Sequence, residues 1–496
     1  MKKSFYFGLG LFLICYFLAL FPDILPSNLS PLALKMLGVT LLMATFWLFE
    51  TIPIPATSII PLFALPFLGI STSAQVASAY ASNIVLLFMS GFFIASAIEK
   101  WGLHKRISLH IIRIIGQKPD RLILGFMVAT AVISLWISNT ATALMMLPIA
   151  SATIAGFNLI DRERDNKILG TGLMLAIAYG ANIGGIGTPI GSPPNLIFLA
   201  VLQESFPNLP EISFLQWMSF GIPLVILFLG LTWFYLVKIN LRITQNNNAS
   251  DRNINVIDER LKQLGKMSRG ELLVAILFGA TVFLWITRAD INIGDFTIRG
   301  WASIFGLSKY VKDTAVAAAI AVIMFVIPAQ TKEGDRTYLL DWETAASIPW
   351  GILLLFGGGI AISKGFVASG LSDFTSSSLQ ANLQNLPIVL IIVAICIFMT
   401  LLTEITSNTA VTTLMMPILA SVSLAMDLNP VILMWPAALS ASCAFCLPVA
   451  TPPNAIVYSQ KYFSISTMAR VGLTINIIGV ILISLGVNFL VLPILN

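Results

Sequence analysis

Long apolar runs separated by short polar stretches make up most of the chain. A helix needs about 20 apolar residues to cross the roughly 30 Å hydrocarbon layer of a membrane. Nine runs approach or exceed that length, near residues 4–22, 32–49, 54–70, 82–99, 214–238, 270–287, 314–328, 348–366 and 467–493. The pattern therefore predicts an integral membrane protein with many spanning helices.

Two other apolar stretches, 122–158 and 384–426, carry a polar triplet near the middle. The triplet is Ser-Asn-Thr in both, at residues 138–140 and 407–409. An unpaired backbone amide or carbonyl costs several kcal/mol in lipid, so a helix breaks at membrane depth only where protein or water covers the break. Each stretch is too long for one helix, and we expect a re-entrant helical hairpin with the triplet at its tip.

The last two interrupted stretches, 168–203 and 430–459, contain clustered prolines and glycines. Residues 184–195 are GGIGTPIGSPPN, and residues 447–454 are LPVATPPN. A proline in a helix interior costs about 3 kcal/mol, because it lacks the amide proton and clashes with the preceding turn. We expect a broken helix in each stretch.

The interrupted segments occur in the same order in both halves of the chain. The triplets lie 269 residues apart, and residues 86–103 resemble residues 354–371 at an offset of 268. We divide the chain into a first repeat, 1–238, a basic linker, 239–270, and a second repeat, 271–496. Paired interrupted segments in two halves are the best sequence indication of a transporter binding site.

Composition excludes a soluble protein. Hydrophobic residues make up 57% of the 496 positions, charged residues 10%, and the mean hydropathy is +0.90, whereas soluble domains carry about 25% charged residues. The net charge of +5 is concentrated in basic segments at the N-terminus, near 104–121 and in the linker. Lysine and arginine concentrate in cytoplasmic loops, so we expect these segments and the N-terminus to lie inside, with no nucleic-acid partner.

The sequence argues against an enzyme. It has two histidines, His104 and His110, and it lacks the zinc-protease, phosphate-loop and nucleophile-elbow motifs. Cys443 and Cys446 form a CxxC pair without further metal ligands nearby, and we interpret them as small buried residues.

Broken helices provide chemistry without charged side chains. A helix N-terminus presents free amides that suit an anion, and the carbonyls at a C-terminus suit a hard cation. Ser134 and Ser138 are four residues apart, as are Thr403 and Ser407, so we expect each pair to share a helix face. Two charged residues stay open: Glu404 would tune a cation site, carry a proton or brace another helix, and Lys364 is a candidate for contact with an anion.

These motifs resemble those of the divalent anion:sodium symporter family. The resemblance covers nearly the whole chain and includes both triplets, both Pro-Pro-Asn breaks, ETIP at 50–53 and IPWG at 348–351. It implies an all-α membrane protein with two inverted-topology repeats, about 11 transmembrane helices and two re-entrant hairpins. It also implies a homodimer in which a transport domain, holding the hairpins and broken helices, moves as an elevator against a scaffold domain.

The resemblance also implies the binding residues. Sodium, the coupling ion, would bind at one site formed by Ser134, Ser138, Asn139 and Gly191 and at a second formed by Thr403, Ser407, Asn408 and Ala450. Gly191 is preferred to Gly187 because it corresponds to Ala450. The substrate would contact a set of hydroxyls, amides and prolines at the four breaks: Ser138, Asn139, Thr140, Ser192, Pro193, Ser407, Asn408, Thr409, Thr451 and Pro452.

The predicted function is sodium-coupled symport of a C4-type dicarboxylate, such as succinate, malate or fumarate, across the plasma membrane, the inner membrane of a bacterium. No further cofactor is expected. The alternatives are a dicarboxylate or citrate exchanger, a transporter of sulfate or another divalent anion, and an anion channel. Hydroxyls and amides at a helix break suit carboxylate and sulfate alike, so the residues leave the anion open.

Overall fold

The computed structural model describes residues 3–26, 28–156, 162–242, 255–293, 296–331, 334–383 and 386–487. The described chain is mostly helical, as the apolar pattern predicts. In the first repeat, a 3-10 turn follows α1 and a π-helical segment, Tyr235–Asn240, extends α12. The helices of this repeat are α1 (Lys3–Leu18), α2 (Pro31–Leu48), α3 (Ile54–Thr57), α4 (Ile60–Phe67), α5 (Ser73–Tyr80), α6 (Asn83–Lys100), α7 (Leu103–Ile115), α8 (Pro119–Ser134), α9 (Asn139–Gly156), α10 (Arg162–Gly184), α11 (Pro193–Ser205) and α12 (Phe214–Phe234).

The second repeat adds two short antiparallel β-hairpins, β1 (Ile291–Ile293) with β2 (Phe296–Ile298) and β3 (Pro328–Gln330) with β4 (Arg336–Tyr338). Its helices, with α13 in the linker, are α13 (Asn255–Leu264), α14 (Arg269–Ile286), α15 (Trp301–Ile304), α16 (Asp313–Val326), α17 (Trp342–Ala346), α18 (Trp350–Ser369), α19 (Leu371–Leu383), α20 (Ile388–Ile405), α21 (Asn408–Ala425), α22 (Val431–Ala441), α23 (Pro452–Tyr458) and α24 (Ile465–Gly486).

Spanning helices are abundant in the described part of the chain. Eight helical segments are long and apolar enough to cross a membrane, and four shorter apolar helices accompany them. Helices occupy the predicted apolar runs, although α1 stops at Leu18 and residues 488–493 of the last run lie outside the described residues. The two β-hairpins depart from the all-α expectation, in the polar parts of the chain between spans.

The repeat is visible in the order of the elements. Helices α6–α12 correspond one by one to α18–α24. A glycine in the left-handed region follows the first helix of each series, Gly102 (φ +72°) after α6 and Gly370 (φ +76°) after α18. Most other residues are strained in that conformation. The breaks lie where predicted, between α8 and α9, α10 and α11, α20 and α21, and α22 and α23.

The basic segments are more structured than the sequence suggests. Residues 104–115 belong to the helix α7, in which His104 is 6% exposed and its ring contacts the carbonyl of Ile98. The linker contains α13, which packs on α7 through an ion pair between Arg113 and Asp258 at 2.9 Å. Linker residues 243–254, and residues 157–158 of the first predicted hairpin, lie outside the described residues.

The interrupted helices of both repeats form one shared core. Helix α10 contacts α8, α9 and α23, and α11 contacts α21 and α22. Residues 173–187, which span the second half of α10 and the start of its break, are buried throughout. The two halves therefore bring their breaks to one place in the molecule.

Candidate functional site

A polar cavity of about 700 Å³ lies where the four breaks meet. Its lining includes every residue predicted to contact the substrate: Ser138, Asn139, Thr140, Ser192, Pro193, Ser407, Asn408, Thr409, Thr451 and Pro452. The rest of the lining is largely apolar and includes Trp47 at the end of α2, Ile54 in α3 and Ile352 in α18. The structure thus gathers the predicted substrate residues, which are up to 314 positions apart, from 138 to 452, around one space.

Three oxygen atoms converge at the end of α8. The Oγ of Ser134 lies 2.6 Å from Oδ1 of Asn139 and 2.8 Å from the carbonyl oxygen of Ala181. A hydroxyl has one proton, so Ser134 donates to only one of these two acceptors at a time. A buried cluster with more oxygen lone pairs than protons suits a hard cation.

The second repeat reproduces this cluster atom for atom. The Oγ1 of Thr403 lies 2.6 Å from Oδ1 of Asn408 and 2.9 Å from the carbonyl oxygen of Ala441. Both hydroxyl residues are fully buried. Because the carbonyls belong to residues at the ends of α10 and α22, each cluster joins the end of one interrupted helix to a hairpin tip.

The expectation that Ser134 and Ser138 share a helix face is wrong. Helix α8 ends at Ser134, so Ser138 lies in the break, where its Oγ accepts a hydrogen bond from the amide of Ala141 at the start of α9. Ser407 likewise follows the end of α20 and precedes α21. Ser138 and Ser407 line the cavity and stand apart from the two oxygen clusters in their hydrogen bonding.

Gly191 lies beside the first oxygen cluster. A Cβ at this position would be 2.7 Å from the carbonyl oxygen of Gly185 and 3.0 Å from that of Ser134. Backbone therefore packs against backbone at this position, which only glycine permits. Ala450, its counterpart, lines the cavity.

Helix N-termini surround the cavity. Helices α9, α11, α21 and α23 begin at Asn139, Pro193, Asn408 and Pro452, and all four residues line it. The first amides of a helix have no partner within the helix and carry partial positive charge. Glu50 is the one charged side chain among the described residues that line the cavity. Helices α11 and α23 begin with two prolines, which have no amide proton. The positive potential for an anion would therefore come from the first amides of α9 and α21 and from bound cations.

The asparagines of the two Pro-Pro-Asn motifs hold the breaks in shape. Asn195 donates from Nδ2 to the carbonyls of Gly185 and Thr188 at 2.9 and 2.8 Å. Asn454 does the same to Ala444 and Leu447, both at 3.0 Å. These bonds satisfy carbonyls that the broken helices leave without a helical donor.

Glu404 braces the second break. Its carboxylate accepts hydrogen bonds from the backbone amides of Phe445, Cys446 and Leu447 at 2.8, 2.9 and 3.2 Å, and from Nδ2 of Asn476 at 2.7 Å. The side chain is buried and occupied by these four donors. Of the roles open from the sequence, the contacts favour the structural one. Cys443 and Cys446 lie in the same break as free thiols.

Lys364 does not reach the cavity. Its ammonium lies 3.4 Å from Glu204 at the end of α11 and 3.1 Å from the hydroxyl of Ser78. In this structure the side chain is therefore not placed to contact an anion in the cavity, contrary to that candidate role. The residue contributes to packing between α18 and α11.

Asn182 is the site residue that the sequence does not reveal. It lies in α10, is 1% exposed and borders the cavity. Its amide contacts Asn139 in the first repeat and Thr451 in the second. No repeated motif marks it, because the residue after Ala441, the counterpart of Ala181, is a serine. The equivalence of Ala181 and Ala441, which places Asn182 opposite Ser442 in the repeat, becomes clear only from their carbonyl contacts in the structure.

The whole chain matches a known family of membrane proteins. A model of the sodium:sulfate symporter transmembrane region matches residues 3–493. The match extends through both repeats.

Curated relatives are similar over nearly their full length. The sodium-dependent dicarboxylate transporter SdcS of Staphylococcus saprophyticus is 41% identical over 476 residues, which is 95% of this chain and 88% of that protein. The transporter of the same name from Staphylococcus aureus is 40% identical over 473 residues, with the same two coverages.

Two solved structures share the fold at low sequence identity. The Alcanivorax borkumensis YdaH transporter superposes with a TM-score of 0.58 at 15% identity, covering 98% of this chain and 99% of that one. Neisseria gonorrhoeae MtrF, described with a class of antimetabolite efflux pumps, gives 0.54 at 10% identity, covering 98% and 94%. At these identities the likeness concerns the fold alone.

Proposed function

The chain belongs to the sodium:sulfate symporter family, and from that premise we propose that it transports a C4-type dicarboxylate, such as succinate, malate or fumarate, together with sodium. The observation that carries the proposal is the pair of equivalent oxygen clusters beside a cavity ringed by helix N-termini. The curated relatives named as sodium-dependent dicarboxylate transporters favour a dicarboxylate over sulfate.

Each oxygen cluster is the proposed core of a sodium site. Ser134 and Asn139, with backbone at Gly191, form the first, and Thr403 and Asn408, with backbone at Ala450, form the second. Ser138 and Ser407 complete them at the hairpin tips. Oδ1 of Asn139 and the carbonyl oxygen of Ala181 lie 2.6 and 2.8 Å from the Ser134 hydroxyl oxygen, so lone pairs of all three oxygens are available to one small cation while the hydroxyl keeps its proton.

The dianion is proposed to bind across the cavity between the two hairpin tips. One carboxylate would meet Asn139, Thr140 and Ser192, and the other would meet Asn408, Thr409 and Thr451. Each set combines hydroxyls and a side-chain amide with the N-terminus of one helix, α9 or α21, whose first amides favour negative charge. Pro193 and Pro452 are the first residues of α11 and α23. They keep Ser192 and Thr451 outside the helices, so the hydroxyls of these two residues are available to the anion.

Sodium would bind before the anion. No lysine, arginine or histidine is among the described residues lining the cavity, so a dianion lacks a cationic partner until sodium is present. Two sodium ions would supply two positive charges next to the two carboxylates. The affinity for substrate then depends on sodium, and by linkage the affinity for sodium depends equally on substrate.

The family resemblance also suggests the oligomeric state, the membrane orientation and the transport motion. We propose a homodimer in the plasma membrane with a cytoplasmic N-terminus, and an elevator motion of the hairpins and broken helices. The side chains of Trp47, Ile54 and Ile352 support this motion, because apolar contacts let the polar part of the cavity move past them without breaking hydrogen bonds.

Uptake of labelled succinate into proteoliposomes tests the proposal. A sodium gradient should accelerate uptake at least tenfold over a potassium gradient of the same size. Sodium-independent uptake that is stimulated by internal dicarboxylate would instead establish an exchanger. Sodium-driven uptake of labelled sulfate without uptake of succinate would reassign the anion, and conductive flux without saturation would indicate a channel.

A further inference from the structure

One buried amide links the two halves of the cavity. Oδ1 of Asn182 accepts a hydrogen bond from Nδ2 of Asn139 at 3.4 Å. Nδ2 of Asn182 donates to Oγ1 of Thr451 at 3.3 Å and to the carbonyl of Ala444 at 3.4 Å. Asn139 belongs to the first oxygen cluster, and Thr451 belongs to the second repeat. Asn182 therefore connects the first cluster to an anion-facing residue of the other half.

The chemistry of an amide fixes the direction of these bonds. The oxygen of an asparagine only accepts, and its nitrogen only donates two protons. Nδ2 of Asn182 has two acceptors and Oδ1 has one donor, so the observed orientation satisfies the group. If the amide were flipped, its oxygen would face the carbonyl of Ala444, which has no proton to donate.

The hydroxyl of Thr451 is consequently left as a donor. Its oxygen accepts from the amide of Asn454 at 3.4 Å and from Asn182 at 3.3 Å. Both lone pairs are then engaged, and the hydroxyl proton has no acceptor among these partners. Thr451 lines the cavity, so the proton is available to an anion bound there.

The corresponding contact in the first repeat does not determine which hydroxyl donates its proton. Ser192, which also lines the cavity, lies 3.1 Å from the hydroxyl of Ser442, and either oxygen can be the donor. Ser442 occupies the position after Ala441, as Asn182 does after Ala181. The two halves thus share a crossed contact, but only the one made by Asn182 is polarised.

We propose that Asn182 is a positioning residue that orients the Thr451 hydroxyl toward the substrate and couples it to occupancy of the first sodium site. The inference rests on the proposed function. A cation held by Oδ1 of Asn139 fixes that amide with its nitrogen toward Asn182 and makes it a stronger donor. Chains of hydrogen bonds polarise one another, so the effect passes through Asn182 to Thr451.

A double-mutant cycle separates this role from a general loss of stability. The variants are Asn182→Ala, Thr451→Val, Thr451→Ser and the combinations of Asn182→Ala with each. Succinate affinity is measured on the purified full chain by thermal-shift titration at fixed sodium, and again with sodium varied at constant ionic strength. Ser442→Ala is the matched control, because it removes the contact at the equivalent position of the other repeat.

Asn182→Ala should weaken succinate binding about tenfold, the loss expected for a hydrogen bond to a charged group. The same loss should appear in the Thr451→Ser background, which keeps the hydroxyl. It should shrink to less than about twofold with Thr451→Val, which has no hydroxyl to orient. Sodium should also enhance succinate binding less in Asn182→Ala than in the wild type, whereas Ser442→Ala should combine additively with Thr451→Val.

Additive effects of Asn182→Ala and Thr451→Val, or unchanged coupling to sodium, would overturn the role of Asn182 while leaving the proposed function intact. A wild type that responds to sodium but to neither succinate nor malate would refute the proposed substrate, and the inference with it. The two failures are therefore distinguished by the wild-type titration alone.

Discussion

At the residue scale, Asn139 and Asn408 have two tasks that no other side chains in the site combine. Each amide oxygen belongs to an oxygen cluster, and each residue is the first of a helix whose N-terminus faces the cavity. In the proposed function, sodium and anion would therefore bind within one residue of each other. Most of the coupling would then be local, and Asn182 would extend it to Thr451.

Replacing these asparagines should abolish transport. Asn139→Ala or Asn408→Ala removes a cation ligand from a buried cluster, and we expect uptake of succinate to fall below about a tenth of the wild-type rate, since a lost bond to a charged group costs about 1.5–3 kcal/mol. Proteoliposome uptake measures the rate, and size-exclusion chromatography of the purified variants verifies that they fold. Both variants transporting with near-normal sodium affinity would refute the site assignment.

Gly191 offers a second test at this scale. A methyl group there would lie 2.7 Å from the carbonyl of Gly185 and must displace the backbone next to Ser134. Gly191→Ala should weaken sodium activation of uptake by roughly five- to tenfold, in line with about 1–3 kcal/mol for overpacking. Gly230→Ala in α12 is the matched control, since a Cβ there meets nothing within 4 Å. Equal sodium activation in the two variants would exclude Gly191 from the site.

At the element scale, the breaks are as important as the helices. The sequence predicts all four breaks because prolines, glycines and a repeated polar triplet interrupt apolar stretches. It does not predict the cluster carbonyls of Ala181 and Ala441, which are backbone groups of ordinary helical residues. Their role depends on how α10 and α22 pack against α8 and α20, and no local pattern encodes that packing. Asn182 escapes notice for the same reason.

Helix α8 ends earlier than the spacing of its hydroxyl residues predicts. Ser134 and Ser138 would share a face only in a continuous helix, but α8 ends at Ser134 and the chain turns. The true partner of Ser134 is Asn139, five residues on. Periodicity predicts neighbours within an element and loses that power at the break, where the chemistry lies.

Glu404 makes the two breaks unequal. It supplies one acceptor group for three successive amides of the second break, and the equivalent residue of the first repeat is Leu135. Glu404→Gln keeps the shape but removes the charge and places an NH₂ group against donors. We expect a lower midpoint of thermal unfolding in detergent, because each bond to the carboxylate contributes about 1–3 kcal/mol.

Asn476→Ala is the companion variant, since it removes one of the four donors and should lower the midpoint less. If Glu404→Gln unfolds at the wild-type temperature and instead loses proton or sodium dependence of uptake, the side chain has a direct transport role. That outcome would contradict the bracing role argued from its contacts.

At the scale of the whole molecule, the elevator proposal concerns contacts between α18 and α11. Lys364 and Glu204 form a half-buried ion pair at 3.4 Å across this interface. An elevator motion of the broken helix α11 must break the pair in every cycle. Such pairs contribute up to about 1 kcal/mol, so Glu204→Gln should change the turnover rate by up to about fivefold and leave the sodium dependence unchanged.

The control is Asp341→Asn, which removes the partner of Lys100 near α6 and α17. That pair joins two segments outside the hairpins and broken helices, and its loss should leave turnover unchanged. The contrary result is equal turnover of the wild type, Glu204→Gln and Asp341→Asn, with an unchanged ratio of inward-open to outward-open conformations. It would indicate that α11 does not move relative to α18.

The duplication predicts a ratio of sodium ions to dicarboxylate in the proposed symport. If each of the two equivalent oxygen clusters binds a coupled ion, as proposed, at least two sodium ions accompany each dianion. The most direct measurement is the succinate gradient at which net flux vanishes in proteoliposomes under a fixed sodium gradient and zero membrane potential. With two coupled ions, a tenfold sodium gradient should balance a succinate gradient of about 100-fold. A balance near tenfold would mean that only one cluster binds a coupled ion, and no dependence on sodium would contradict the account.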